Sequence, residues 1–320
     1  MPTSSAASAE NSPRVVVTGG SGFVGRAVVR ALTARGTPVT VVDLQPLPDE
    51  LRSGLVEHVQ GDLREPAVRS AAVPDGCAGI VHLAAITSVL RSIEHPAQTH
   101  EANVAVTQEL LELCRARGCG RIVLASTNAV VGDIGHARIT EDLPLRPLTP
   151  YGATKAACEM LLSGYAGSYG IAAAALRFTN IYGPGMAHKD SFVPRLMRAA
   201  AAGTGVQVYG DGRQRRDFVH VDDVVRGILA AFDGDYSGTA IIGAGESFSV
   251  LELVDAVRAA TGREIPLDHV PAKNGEMPAV IVEIERARHD LGYRPSTGLT
   301  DGLRTVWEDF RRTDELSEVS

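Results

Sequence analysis

Cysteine, aromatic residues and net positive charge are all scarce in this 320-residue chain, as are long apolar runs. The four cysteines (Cys77, Cys114, Cys119 and Cys158) form no Cys-x-x-Cys pair and have no zinc-like spacing with histidine. That excludes a zinc framework, and they read as reduced thiols of a cytoplasmic protein. With 31 Lys and Arg against 38 Asp and Glu the net charge is −7. No basic field is available to hold nucleic acid, although a local cation cluster can still hold a diphosphate. No apolar stretch approaches the roughly 20 residues that span a bilayer. The Ser/Ala-rich start has neither the basic region nor the apolar core of a secretory signal, so residues 1–13 read as a disordered tail.

What is present is an ordinary globular balance, 44% hydrophobic and 22% charged, with length for one large unit or two coupled lobes. Apolar runs at Arg14–Thr18, Val39–Asp43, Gly79–Ala84, Arg121–Ala125 and Ala172–Phe178 alternate with helical spacing at Phe23–Arg35, Gln98–Arg117 and Thr154–Tyr169. Continuous apolar strands separated by helices predict an α/β fold whose doubly wound parallel sheet is covered on both faces. Beyond Tyr182 the texture turns to Gly/Pro-rich loops, with helices expected at Ser191–Ala202, Asp222–Phe232, Val250–Thr261 and Leu299–Arg311. The expected organisation is a Rossmann domain of residues 14–179 plus about 215–243. A smaller mixed α/β C-terminal lobe would take 180–214 plus about 244–320.

The first strand runs into Thr18-Gly19-Gly20-Ser21-Gly22-Phe23-Val24-Gly25. Gly19, Gly22 and Gly25 form G-x-x-G-x-x-G, which allows a tight turn, close approach of backbone to a pyrophosphate, and a helix N-terminus aimed at its charge. A glycine triplet alone also fits an ordinary strand–helix turn. Here an acid, Asp43, ends the second strand about 20 residues on, where a carboxylate meets the adenosine ribose. It would bind the ribose diol and repel a 2′-phosphate, so NAD is expected over NADP; the rival reading of Asp43 is a loop cap. Asp62 and Leu63, after the next strand, are placed to meet the adenine edge.

Tyr151-Gly152-Ala153-Thr154-Lys155 supplies Tyr-x-x-x-Lys. On a helix these two residues share a face, so a nearby ammonium and a positive nicotinamide ring are expected to lower the tyrosine pKa, making Tyr151 a general base. The pattern arises often by chance. Its context is stronger, because Arg121–Ala125 leads to Thr127 at the carboxyl end of a sheet strand, where sites of α/β folds lie. A Ser/Thr turn is the structural alternative there.

Taken in order, these segments, with His82-Leu83-Ala84-Ala85, Asn103-Val104, Arg177–Pro184 and Tyr209–Val221, resemble the extended short-chain dehydrogenase/reductase family, in its nucleotide-sugar epimerase and dehydratase branch. The resemblance runs from Val15 to about Trp307. It implies a catalytic Thr127, Tyr151 and Lys155, with Lys155, Asn103, Phe23, Val24 and the Leu83-Ala84-Ala85 loop at the NAD. It further implies Asn180 and Arg216 at the diphosphate of a UDP-sugar, and Ser191, Phe192, Gln207 and Tyr209 around the base end. Lys273 stands where a phosphate-binding arginine is usual, and Glu276 would meet the ribose. For Arg216 and Lys273 the alternative is a surface salt bridge. Members commonly form homodimers through the helix bearing Tyr151 and the one before it.

Members that resemble this chain and dehydrate their sugar carry an Asp-Glu pair after the catalytic threonine, and decarboxylases usually carry the glutamate. Here those positions are Asn128 and Ala129. Neither side chain moves protons, so inversion at C4 through a transient 4-keto sugar is the expected reaction. A neutral hexose, or a uronate paired with His188, Lys189 or Arg195, would fit. A decarboxylase, a dehydratase, a one-way reductase and an NAD-sensing binding protein are the alternatives.

Overall fold

A computed structural model of the chain describes residues 13–234, 236–272 and 277–317, with side chains to residue 312. The expected tail lies outside the described residues, except for Pro13. In chain order come β1 (Val15–Thr18), α1 (Phe23–Ala34), β2 (Val39–Asp43), β3 (Val56–Gln60), α2 (Pro66–Ala72), β4 (Gly79–His82), α3 (Val89–Glu94), α4 (Pro96–His100), α5 (Val106–Arg117), β5 (Arg121–Thr127), β6 (Arg138–Ile139), α6 (Pro150–Tyr169) and β7 (Ala172–Phe178). There follow β8 (Asn180–Tyr182), α7 (Phe192–Ala202), β9 (Val206–Tyr209), β10 (Arg215–His220), α8 (Val221–Asp233), β11 (Gly238–Ile242), β12 (Ser247–Ser249), α9 (Val250–Thr261), β13 (Leu267–Val270), β14 (Ile281–Val282), α10 (Glu285–Asp290) and α11 (Leu299–Ser317).

Seven of these strands form one parallel sheet in the order β11-β7-β5-β4-β1-β2-β3. Strand order reverses between β1 and β4, so the loops that follow them leave for opposite faces and open a crevice at the carboxyl ends. The core strands are buried on both sides. Val28 and Leu32 of α1 and Val224 and Ile228 of α8 cover one face, while Leu110 and Leu111 of α5 and Leu162 of α6 cover the other. Each fully buried leucine of this kind contributes about 1.5–3 kcal/mol through apolar area removed from water.

The smaller lobe gathers α7, α9 and α11 around Leu196, Met197, Leu253, Val257, Leu303 and Val306. Beside them β10 pairs with β8 in parallel and with β12 in antiparallel register, and β9 pairs with β13. Helix α9 starts on a capping box: Ser249 accepts from the Glu252 amide, and the Glu252 carboxylate accepts from the Ser249 amide.

Three of the boundaries that differ from expectation have a clear physical reason. Helix α6 begins at Pro150, not Thr154, because Pro150 occupies the first turn and Thr149 caps it through the Gly152 amide. The stretch expected as one helix over Gln98–Arg117 widens into a π turn at Glu101–Ala105 between α4 and α5. The strand expected to reach Ala84 stops at His82, where the Leu83 and Ala84 amides turn to the Thr18 hydroxyl, each at 3.1 Å.

The cysteines also depart from their reading as four thiols: Cys77 and Cys119 are joined in a disulfide. Ile80 pairs with Ile122 in the parallel register of β4 and β5, and each cysteine sits three residues upstream of its strand partner. The register therefore brings them face to face, with Cα atoms 5.3 Å apart, although 42 residues separate them in sequence. Cys114 and Cys158 are free and buried.

Candidate active site

The crevice at the carboxyl ends of β1, β4, β5 and β7 is a cleft of about 1460 Å³ bounded by both lobes. Its floor is the loop from Gly19 to Gly25. Gly19 has a left-handed φ of +70°, and a Cβ there would lie 2.8 Å from the Ala84 nitrogen. A Cβ on Gly25 would lie 2.1 Å from the Gly19 carbonyl oxygen. The loop thus packs backbone on backbone. Helix α1 opens from Gly22 with no side-chain cap, leaving the N–H groups of its first turn at the cleft where Phe23 and Val24 line it. A backbone cradle of this kind could hold a pyrophosphate.

Asp43 lines the cleft at the end of β2. Its carboxylate accepts from the Ser21 amide at 3.0 Å and the Gln45 amide at 2.9 Å. Asp43 thus caps the loop while still facing the cleft, where the expected ribose contact would be made. Asp62 and Leu63 also line the cleft, but Arg64 grips the Asp62 carboxylate through Nε and through Nη2 at 2.6 Å. That guanidinium holds the Asp62 carboxyl below the usual range. Leu83, Ala84 and Ala85 form the opposite wall. Asn103 does not reach the cleft surface. It is buried in the π turn, where it accepts from the Ile86 amide at 2.8 Å and donates to the Ile86 carbonyl and the Thr154 hydroxyl, so it supports the wall from behind.

Thr127, Tyr151 and Lys155 meet at the cleft beneath the end of β5. The Tyr151 hydroxyl is in hydrogen-bond contact with Thr127. The Lys155 ammonium donates to the Ala125 carbonyl at 2.8 Å, and Ser92 of α3 accepts from the Tyr151 amide at 3.1 Å. Burial pushes the Tyr151 phenol up to about 12, against the opposing effect of the Thr127 hydrogen bond. Without a nicotinamide charge beside it, desolvation outweighs any lowering from Lys155, whose ammonium donates to the Ala125 carbonyl. Burial likewise pushes the Lys155 ammonium down, opposed by Cys158 and Glu159.

Asn180, Ser191, Phe192, Gln207, Tyr209 and Arg216 line the side of the cleft formed by the smaller lobe. Asn180 donates to the Asp217 carbonyl at 2.9 Å, and the buried Asp217 carboxylate accepts from Thr179 and from the Ala244 and Gly245 amides. This knot holds Asn180 and Arg216 on adjacent paired strands. Lys273 and Glu276 lie outside the described residues. Sequence reasoning missed Arg64, Arg91 and Arg198, which add cations to the cleft. Arg198 was detectable, being one helical turn beyond Arg195. Arg91 carries no comparable signal. Among the described lining residues the carboxyl groups are Asp43 and Asp62 alone, both at the end formed by β2 and β3. Asn128, buried, donates instead to the Phe178 carbonyl, and neither it nor Ala129 lines the cleft.

A crevice at the switch point of a parallel sheet, with a glycine cradle and a Thr/Tyr/Lys group, defines a Rossmann-type dinucleotide enzyme. Residues 15–243 match the NAD dependent epimerase/dehydratase family, and the chain belongs to it, so its cofactor is NAD. The chain is 30% identical to a UDP-glucose 4-epimerase of Corynebacterium glutamicum, over 92% of this chain and 94% of that one. It is 33% identical to a dTDP-glucose 4,6-dehydratase of Streptomyces niveus, over 95% and 97%. MoeE5, solved in complex with UDP-glucuronic acid and NAD, superposes with a TM-score of 0.86 at 36% identity, covering 94% of this chain and 99% of that one. No helix among the described residues is long and apolar enough to cross a membrane.

Proposed function

We propose that this protein is an NAD-dependent 4-epimerase of a UDP-linked hexose, either glucose/galactose or the corresponding uronates. The observation that carries the reading is the absence of any carboxyl group beside Tyr151 among the described cleft residues. Loss of water across C5 and C6 needs an acid and a base there, and the relatives that dehydrate leave this choice open until those positions are read. With Asn128 turned to a backbone carbonyl and Ala129 inert, proton transfer falls to Tyr151 and Thr127 among the described residues at the end of β5.

NAD, when bound, supplies hydride acceptance and return at C4. Tyr151 takes the proton from the C4 hydroxyl, Thr127 orients that oxygen, and Lys155 stabilises the phenolate. Asn180 and Arg216 hold the diphosphate while the hexose turns within the cleft. Tyr151 then returns the proton to the inverted oxygen. The cycle has no net redox change, so it runs without added cofactor. Two copies would pair through α5 and α6, where Met160 and Tyr169 are more than half exposed.

The test is incubation with UDP-glucose, and separately UDP-glucuronate, without added cofactor, followed by proton NMR. The C4 epimer is expected in one of them, and Tyr151→Phe should lower kcat by about 10²–10⁴. Release of carbon dioxide, or a 4-keto-6-deoxy product, overturns the reading.

A further inference from the structure

Beneath the reacting group lies a buried cluster with no part in the chemistry above. Glu159 of α6 and Arg177 of β7 form an ion pair at 2.7 Å whose side chains are 1% and 3% exposed. Arg177 approaches both carboxylate oxygens, through Nε at 3.0 and 3.2 Å and Nη2 at 2.7 Å. Ser126 donates to the same carboxylate at 2.5 Å. Ser126 and Arg177 face each other in the β5–β7 register, so three elements converge on one carboxylate.

A buried ion pair is weak evidence for stability, because apolar residues of similar volume often serve equally well. The value of this one lies in where it sits. Tyr151, Lys155 and Glu159 recur every four residues and form one stripe of α6. Against that stripe stand three consecutive residues of β5. Thr127 meets Tyr151, the Ala125 carbonyl meets Lys155, and Ser126 meets Glu159. The first two contacts belong to the reacting group, and the third is its anchor.

We propose that Glu159 is a positioning residue: held between Ser126 and Arg177, it clamps the end of β5 against α6 and so fixes Thr127 relative to Tyr151 and Lys155. The proposal rests on reading those three as the reacting group. Its effect belongs to the turnover step, since a displacement of about 1 Å at a reacting centre costs up to 10²-fold in rate. The residues proposed to hold the diphosphate and the base lie on the other lobe, so KM should be spared.

The test is the charge-neutral pair Glu159→Leu with Arg177→Met, which leaves no lone buried charge. Expected are a kcat lower by about tenfold or more, a KM within about twofold, and unchanged NAD content and Tm. A second readout needs no substrate. Ultraviolet titration of the Tyr151 phenol, as the difference between each protein and its Tyr151→Phe counterpart, should move upward as the phenol loses its placed hydrogen bond with Thr127, which opposes the effect of burial. If the pair fails to fold, Ser126→Ala should show the same kcat loss in smaller degree, with Ser126→Thr restoring it. A folded pair with wild-type kcat and an unmoved phenol titration overturns the proposal. Wild-type protein inert on nucleotide hexoses would instead sink the proposed function, and the phenol titration would still decide the role of Glu159.

Discussion

Replacing Asp43 by alanine separates its two jobs, and the structure sets the size of each. Its carboxylate accepts from the amides of Ser21, which is buried, and Gln45, which is exposed. Water can replace the partner of Gln45, whereas the Ser21 amide is left unsatisfied at a cost of about 1–3 kcal/mol. That part appears as lowered stability of the glycine loop. The second job, on the proposed reading, is the ribose diol, where two charge-assisted bonds would be worth about 1.5–3 kcal/mol each before water in the open cleft recovers a share. We therefore expect Asp43→Ala to weaken NAD by about 100-fold, or 2.7 kcal/mol. Asp43→Asn keeps an acceptor and should lose less, while its affinity for NADP relative to NAD rises because the charge facing a 2′-phosphate is gone. Calorimetric titration of nucleotide-free protein with both nucleotides measures all three. An alanine variant that binds NAD within about threefold of wild type would refute the ribose assignment and leave Asp43 as a loop cap.

His82 lies between the hydroxyls of Thr18 and Thr107, and burial, helped by Lys155, pushes it down to about 3. Below pH about 6.5 the unfolded chain takes up a proton that the folded one refuses, so stability is full above that pH and falls as pH drops, by up to about 1.4 kcal/mol per pH unit. Thermal unfolding from pH 7 to 5 should show this slope in wild type and a shallower one in His82→Gln, where His188 and His220, both also pushed down by desolvation, still contribute; parallel curves would contradict it. Gly25→Ala places a Cβ 2.1 Å from the Gly19 carbonyl oxygen with only backbone to yield, so NAD should bind about tenfold more weakly, at an overpacking cost of about 1–3 kcal/mol. Thiol titration in denaturant should find two groups before reduction and four after. Reduction should cost about 2–4 kcal/mol of stability while sparing NAD affinity, because Cys77 and Cys119 sit at the amino ends of the strands, away from the cleft.

Strands that are apolar on both faces, such as Val15–Val17 and Ala172–Leu176, declare a covered parallel sheet in one dimension, and the glycine loop gains its meaning from the strand before it and the acid about 20 residues on. That is why the sheet and cofactor cradle were legible. Contacts set by strand register were not: Cys77 with Cys119, and Ser126 with Arg177 and Glu159, meet only once β4, β5 and β7 are aligned. Asn103 shows a third limit. Its position was readable, but the π turn that buries its side chain against Ile86 leaves no trace in helical periodicity.

Tyr151 shows which of the two expected charges matters, and this carries a consequence for the chemistry. Spacing placed an ammonium beside the phenol, but it says nothing of solvent, and burial holds the group near 12. A phenol so placed is a poor base at neutral pH. Proton removal must then be coupled to positive charge arriving at the site. A unit charge about 4 Å away contributes about 4 kcal/mol at an effective dielectric of 20, which favours phenolate by about 3 pH units. The Tyr151 titration midpoint should therefore fall by about that much when NAD binds, and return toward its starting value when the bound nucleotide is reduced and its ring charge is lost. Ultraviolet difference titration against Tyr151→Phe, in the free, oxidised and reduced forms, reads this directly. A midpoint that stays near 12 when NAD binds would refute this coupling of proton removal to the ring charge.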